Sequence, residues 1–129
     1  MPRKTVVSQD APKAIGPYSQ AVWSGDRLFC SGQTPIDPAV GSLVAGGISE
    51  QTRQVFANLS AVLQAAGLSL DDVIKVNVYL TSMSNFAGMN AVYQSVFAAP
   101  YPARPTVAVA ELPLNALVEI ELVAEKPQA

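Results

Sequence analysis

Residues 102–121 read Pro-Ala-Arg-Pro-Thr-Val-Ala-Val-Ala-Glu-Leu-Pro-Leu-Asn-Ala-Leu-Val-Glu-Ile-Glu. Arg104 precedes a first alternating segment, and Glu119 and Glu121 lie in a second one beyond a turn, so the pattern predicts two strands. If these strands pair as a hairpin, the guanidinium and a carboxylate of one sheet come close together. Arginine suits the binding of a small carboxylate because its rigid fork of donors keeps its charge. A nearby glutamate can orient or deprotonate a water molecule.

The last predicted strand separates its side chains by polarity. Val118, Ile120 and Leu122 point to one face, and Glu119 and Glu121 point to the other. We expect the apolar set to lie under helices, which leaves the glutamates on the opposite sheet face. That face would be bare in a monomer.

The remaining chain alternates between predicted strands and helices. The predicted strands cover 4–8, 18–23, 27–32, 73–80, 106–110 and 117–124, and the second and third of them form a hairpin around Ser24-Gly25-Asp26. In the strand over 73–80, the core face carries Ile74, Val76, Val78 and Leu80. A long loop covers 33–47, one helix is capped by Ser49 and stopped by Gly67, and a second helix runs from about Ser84 to before Pro100. This order predicts an α+β fold with one open sheet and both helices on one side.

Length and composition suggest a self-associating protein. The 129 residues fit a single domain, residues 1–129. Charged residues make up 14% and apolar residues 50% of the chain, so a monomer would expose much apolar surface. We therefore expect copies of the chain to cover one another.

Charge and residue usage exclude several classes of function. The net charge is −2 and the basic residues are scattered, so no nucleic-acid partner is expected. The chain has one cysteine and no histidine, which excludes imidazole catalysis and a typical zinc site. The sequence shows no secretory signal or membrane-spanning segment, so no membrane partner is expected and a cytoplasmic location is the default prediction.

The candidate polar residues also have structural interpretations. Arg104 could form an internal ion pair with Glu119 or Glu121, and this alternative is slightly favoured from the residues alone. Tyr18 follows Gly-Pro and could simply pack with its hydroxyl satisfied. Asn90 interrupts the apolar stripe of the second helix and could bond to a loop carbonyl.

Cys30, Ser31 and Gly32 form the end of one predicted strand. Cys30 alternates with Leu28 and has no evident base, so we predict a buried small hydrophobe rather than a nucleophile. Ser31 and Gly32 could merely end the strand, but a glycine there would also let a ligand approach bare backbone.

Taken together, these residues resemble a known family. The matching blocks are Ala14-Ile15-Gly16-Pro17-Tyr18-Ser19-Gln20-Ala21, Ser31-Gly32-Gln33, Ala65-Ala66-Gly67-Leu68, Asn85-Phe86 with Asn90 and Tyr93, and Pro102-Ala103-Arg104 followed by Val118-Glu119-Ile120-Glu121. They occur in order over nearly the whole chain and resemble the RidA/YjgF family, the reactive-intermediate imine deaminases. The resemblance implies a chorismate-mutase-like α+β fold and a homotrimer whose sheets line a central barrel. It also implies three clefts between subunits.

The resemblance further implies a reaction and the residues that carry it out. The expected reaction is hydrolysis of 2-imino acids, such as 2-iminobutanoate and 2-iminopropanoate, to 2-oxo acids and ammonia, without a metal or organic cofactor. Arg104 matches the family arginine that grips the substrate carboxylate, and Glu119 matches the glutamate that positions water. Tyr18 matches the tyrosine that lines the cleft and acts with them, and Gly32 the backbone contact, with Ser31 and Asn90 also expected at the substrate.

One position departs from the family pattern. Many relatives carry a cysteine where this chain has Thr106, and Pro105 precedes it. We still expect Thr106 to contact the substrate largely through its backbone. The leading hypothesis is a 2-iminobutanoate/2-iminopropanoate deaminase, and a non-catalytic module that binds or senses 2-oxo acids is the alternative. Ribonuclease or translation inhibition is reported for some family members, but the acidic balance and the lack of histidine argue against it here.

Overall fold

The computed structural model describes residues 2–128 and shows an α+β fold with one main sheet. The elements are β1 (Lys4–Val6), β2 (Ala21–Ser24), β3 (Arg27–Gln33), β4 (Ile36–Asp37), β5 (Ser42–Leu43), α1 (Ile48–Ala65), β6 (Val73–Leu80), α2 (Phe86–Val96), β7 (Thr106–Ala108) and β8 (Val118–Glu125). Six strands form the main sheet in the order β1-β2-β3-β8-β6-β7, and only the β6–β7 pair is parallel. Across residues 2–128, no helix has the length and hydropathy needed to cross a membrane.

Both helices pack on one face of this sheet, as the apolar spacing predicts. Val118, Ile120 and Leu122 of β8 are buried together with the apolar stripe of α1 and with Met89 and Tyr93 of α2. The opposite face is open, and Phe29 on β3 remains 49% exposed there. The prediction of a bare face that carries Glu119 and Glu121 is therefore confirmed in the single chain.

The helix α1 begins earlier than predicted. Its N-cap is Gly47 rather than Ser49, and the Glu50 carboxylate accepts a hydrogen bond from the Gly47 N–H at 2.8 Å. This backbone contact satisfies a donor that Ser49, two residues into the helix, cannot reach. The predicted stop is confirmed, because Gly67 adopts a φ of +79° just beyond the C-cap.

The prediction that Ile74 lies on the core face is wrong. Val73 of β6 faces Ala124 of β8, whereas Lys75 faces Val123, so Ile74 is an extra residue in a β-bulge. The bulge buries Val73 and leaves Ile74 41% exposed. Alternation therefore holds only from Val76 onward.

The condition of a hairpin between β7 and β8 is not met, because β6 lies between them. β6 pairs with β8 along nearly its whole length, while the three-residue β7 pairs in parallel with β6 at the sheet edge. A long, apolar strand gains more ladder hydrogen bonds in the centre than a short one does. Arg104 and Glu119 consequently do not meet across a hairpin.

The predicted long loop over 33–47 has structure of its own. It contains the small β4–β5 hairpin, whose residues Ile36 and Leu43 pair. The buried Asn58 of α1 donates from Nδ2 to the carbonyl of Ile36 at 2.9 Å and to that of Thr34 at 3.3 Å. This segment is therefore fastened to the helix layer rather than free.

Candidate active site

A cavity of about 500 Å³ opens where β3 and β8 pair, and it collects four of the predicted site residues. Tyr18, Ser31, Gly32 and Glu119 all line it. The register of β3 against β8 slips by one residue between Cys30 and Gln33, so Ser31 and Gly32 form a β-bulge. The bulge is what brings this backbone to the glutamate.

Gly32 lies so close to Glu119 that any larger residue would displace the glutamate side chain. A Cβ atom at residue 32 would lie 2.5 Å from Oε2 of Glu119, closer than two nonbonded atoms tolerate. Next to it, the Ser31 hydroxyl donates to the Ser19 carbonyl at 2.6 Å, which fastens the loop carrying Tyr18. Ser31 thus holds the cavity wall through its side chain.

The two glutamates of β8 have different surroundings. Oε1 of Glu121 accepts hydrogen bonds from the Tyr79 hydroxyl and, at 3.2 Å, from Nδ2 of Asn77. The hydrogen bond to Glu121, followed by burial, raises the pKa of Tyr79 to about 12. Burial, and then the charge of Glu121, raise the pKa of the Glu119 carboxyl above its ordinary value. Glu119 is therefore a better proton acceptor than an ordinary glutamate.

A second cavity, of about 310 Å³, contains the predicted arginine. Arg104 Nη1 donates to Oδ1 of Asn90 at 2.7 Å, and the guanidinium carbon lies 4.4 Å from the centre of the Tyr93 ring. Tyr93 is only 4% exposed and packs against Phe56 and Phe97, so it forms a fixed platform. Arg104 is thus held by an amide and an aromatic face.

Arg104 makes no ion pair with a carboxylate within residues 2–128. The alternative of an internal pair with Glu119 or Glu121 is therefore wrong for this part of the chain. Among the described residues, Asn90 does not bond to a loop carbonyl but accepts a hydrogen bond from the arginine. Because a guanidinium has five N–H donors, this arrangement leaves donors for a ligand.

The remaining predicted residues lie apart from these cavities. Thr106 lines neither, and its buried hydroxyl has no hydrogen-bond partner within the described chain. Cys30 is buried, and burial raises the pKa of its thiol to about 12, which confirms the expected small hydrophobe. Residues 2–128 contain no cluster of three His, Cys, Asp or Glu side chains placed to hold a metal ion.

Several residues around these cavities were not predicted. Tyr93 follows Asn90 by three positions, which places both on one helix face, so the helical spacing could have revealed the arginine's platform. Asn77 and Tyr79 share the sheet face of Glu121 by strand alternation. Leu114 had no such signal, because only the folded turn brings it to the first cavity.

Comparison with known proteins identifies the family. The family model described as Endoribonuclease L-PSP, which represents the RidA/YjgF family, matches residues 8–126. A RutC family protein of Pyrococcus horikoshii is 52% identical over 124 residues, covering 96% of this chain and 98% of that protein. A 2-iminobutanoate/2-iminopropanoate deaminase of Dermatophagoides farinae is 42% identical over 93% of this chain and 94% of its own. The chain belongs to the RidA/YjgF family.

The fold agrees with this assignment. The crystal structure of Escherichia coli TdcF with bound serine superposes with a TM-score of 0.91. It is 42% identical and covers 96% of this chain and 99% of that one. The family therefore includes imine deaminases, and the mixed sheet with two helices is its fold.

Proposed function

We propose that this protein hydrolyses 2-imino acids, among them 2-iminobutanoate and 2-iminopropanoate, to 2-oxo acids and ammonia. The observation that carries the proposal is Arg104, a guanidinium fixed by Asn90 and Tyr93 and not paired with a carboxylate within residues 2–128. The name of the Dermatophagoides relative and the serine bound by TdcF support a small substrate with a carboxylate and a nitrogen on the adjacent carbon.

The proposed chemistry needs little from the protein. Arg104 binds the carboxylate through charge-assisted hydrogen bonds, Gly32 leaves room at the backbone, and Tyr18 closes one wall of the cavity. Glu119 takes a proton from water as the water oxygen bonds to the iminium carbon, which gives a carbinolamine. Glu119 then passes this proton to the nitrogen. As the C–N bond breaks, the hydroxyl proton goes to Glu119 and from there to the departing ammonia, so the 2-oxo acid and ammonium leave. The iminium carbon is already electrophilic, so a nucleophilic side chain is unnecessary.

The proposed site is built from two chains. Arg104 lies against α2, whereas Glu119 faces away from the helices into a cavity that shares no lining residue with the arginine cavity. The open sheet face carries partly exposed Phe29 and Val107, an apolar surface that a partner would cover. A homotrimer with its sheets turned inward would place the arginine of one chain beside the glutamate of the next.

The proposal is tested by supplying an imine and measuring its hydrolysis. An amino-acid oxidase or threonine dehydratase generates the imine, and the protein should accelerate its disappearance. Binding of 2-oxobutanoate with no acceleration would favour the ligand-binding alternative. The family model's description names an endoribonuclease. However, the net charge is −2 and the basic residues are scattered along the sequence, so they do not predict a basic surface that would bind an RNA backbone.

The pH profile tests the role of Glu119. Because its pKa is raised, kcat/KM should fall as the pH drops through a value above the ordinary range for glutamate. Replacing Glu121 by glutamine removes the neighbouring negative charge, so the acidic limb of the profile should move to lower pH. Tyr79→Phe is the matched control, since it removes the hydrogen bond to Glu121 but keeps that charge. An acidic limb that stays in place in Glu121→Gln would contradict the assignment.

The aromatic platform gives a further prediction. Tyr93→Leu removes the ring under Arg104 and should raise the KM several-fold, since a cation–π contact is worth about 0.5–2 kcal/mol. Tyr93→Phe keeps the ring and should retain the wild-type KM. Steady-state kinetics of both variants check this, and equal KM values in the two variants would refute the platform role.

A further inference from the structure

Leu114 combines two features that are unfavourable for a leucine. Its backbone lies in the left-handed region, with φ at +60°, and its side chain is 56% exposed. A bulky residue at positive φ is a genuine outlier, because its Cβ crowds the backbone. An exposed apolar side chain also gains little from folding. Neither backbone preference nor core packing therefore accounts for a leucine here.

The surrounding turn holds this conformation in place. The Asn115 N–H donates to the Leu112 carbonyl at 3.2 Å, and the Ala116 N–H donates to the Pro113 carbonyl at 3.1 Å. Just beyond, the Leu117 N–H donates to the side chain of the buried Gln51 at 2.8 Å. Strained residues that their surroundings fix in this way concentrate at ligand sites.

The side chain of Leu114 lines the same cavity as Glu119 and Gly32. Ile15, which is highly exposed, and Ile36 line it as well. The cavity therefore contains a carboxylate that can bind water, and its apolar wall is formed by side chains that lie outside the hydrophobic core. Such a wall suits the hydrocarbon part of a small ligand.

We propose that Leu114 is a specificity-determining residue, whose side chain contacts the substrate beyond C3 and favours imino acids with apolar, branched side chains. The proposal rests on the proposed function, since it assigns the wall of that same site. In this proposal, the strained turn holds the Leu114 side chain against the ligand.

Two variants separate the side chain from the backbone. Leu114→Asn keeps a side chain of similar length and tolerates the left-handed region, but it replaces the apolar surface with an amide. Leu114→Gly removes the side chain and relieves the strain. Val40→Asn is the matched control, because Val40 is also exposed and apolar but does not line the cavity.

The measured quantity is the ratio of kcat/KM for 4-methyl-2-iminopentanoate to that for 2-iminopropanoate, both generated by the same oxidase. We expect this ratio to fall about tenfold in both Leu114 variants, as losing an apolar contact typically produces, and to be unchanged in Val40→Asn. Calorimetry gives the corresponding affinity ratio for the two products, 4-methyl-2-oxopentanoate and pyruvate. Wild-type ratios in both Leu114 variants would overturn the proposal.

The binding measurement distinguishes this proposal from the proposed function. If the wild-type protein has no turnover but the affinity ratio still falls in the Leu114 variants, the specificity role stands and the deaminase function is wrong. If the wild-type protein neither turns over the imines nor binds the products, both proposals are wrong.

Discussion

Replacing Arg104 by alanine should lower kcat/KM for imine hydrolysis by about 100- to 1,000-fold. Truncating one partner of a hydrogen-bonded charge pair typically costs about 2–5 kcal/mol, and here the substrate carboxylate would lose its fixed cation. Arg104→Lys should recover part of this loss, because lysine keeps the charge but not the planar fork that Asn90 and Tyr93 hold. Steady-state kinetics with 2-iminobutanoate measure both effects.

Arg27→Ala is the matched control for this experiment. Arg27 is a largely exposed arginine that pairs with Glu125 at 3.2 Å, and it lies on β3, which β8 and β6 separate from β7. Its removal changes the net charge by the same amount and should leave kcat/KM within about twofold, since exposed ion pairs contribute little. Wild-type kinetics in Arg104→Ala would show that Arg104 does not bind the substrate carboxylate.

The sequence predicted the parts of this fold that depend on local periodicity. The alternation of Val118, Ile120 and Leu122 against Glu119 and Glu121 identified the two faces of β8 correctly. The three- and four-residue spacing of apolar side chains in the first helix likewise predicted its buried stripe, which consists of Val55, Phe56, Leu59, Val62 and Leu63. Such patterns record which side chains avoid water, and that preference is a property of each segment alone.

The order of strands in the sheet could not be predicted in the same way. Arg104 and Glu119 are close in sequence, so a hairpin was the simplest expectation, but β6 enters between β7 and β8. Which strand pairs with β8 depends on all the ladder hydrogen bonds that β6 can make, and these bonds join residues that are distant in sequence. The bulges at Ile74 and at Ser31-Gly32 also escape alternation, because they arise from register against a partner strand.

The candidate site shows the same limit more sharply. Its chemical groups, Arg104 and Glu119, were predicted from residue type and family resemblance, whereas the supports that hold them were not. The helical spacing of Tyr93 and Asn90 was a signal for the platform that was not used, whereas Leu114 reaches the cavity only through its folded turn. Neighbours that are distant in sequence have no local pattern to reveal them.

Two inactive variants should restore activity when they assemble together. Arg104→Ala lacks the guanidinium that binds the substrate carboxylate, and Glu119→Gln lacks the proton acceptor, so each variant alone should be nearly inactive. The Glu119→Gln chain should fold at neutral pH, because a raised pKa means that the folded chain disfavours the ionised carboxyl above that pKa, and a neutral amide removes this penalty.

The amount of recovery follows from the geometry of a ring. If each site takes its arginine from one chain and its glutamate from the next, one of the three sites in every mixed trimer has both intact groups. Coexpressing the two variants with different tags and isolating the mixed assemblies allows kcat per site to be measured. A site within one chain would give no recovery, because neither chain holds both groups.

A second pair of variants controls for nonspecific rescue. Glu119→Gln and Gly32→Ala alter the same cavity, since a Cβ at residue 32 would lie 2.5 Å from the Glu119 carboxylate and displace it. In such a mixed assembly, the chain that supplies the glutamate to a site always carries either Glu119→Gln or Gly32→Ala. Activity should therefore stay at the level of the single variants. Recovery with Arg104→Ala but not with Gly32→Ala would therefore require that two chains share each site. Equal recovery in both mixtures would instead show that mixing restores activity without combining two half-sites.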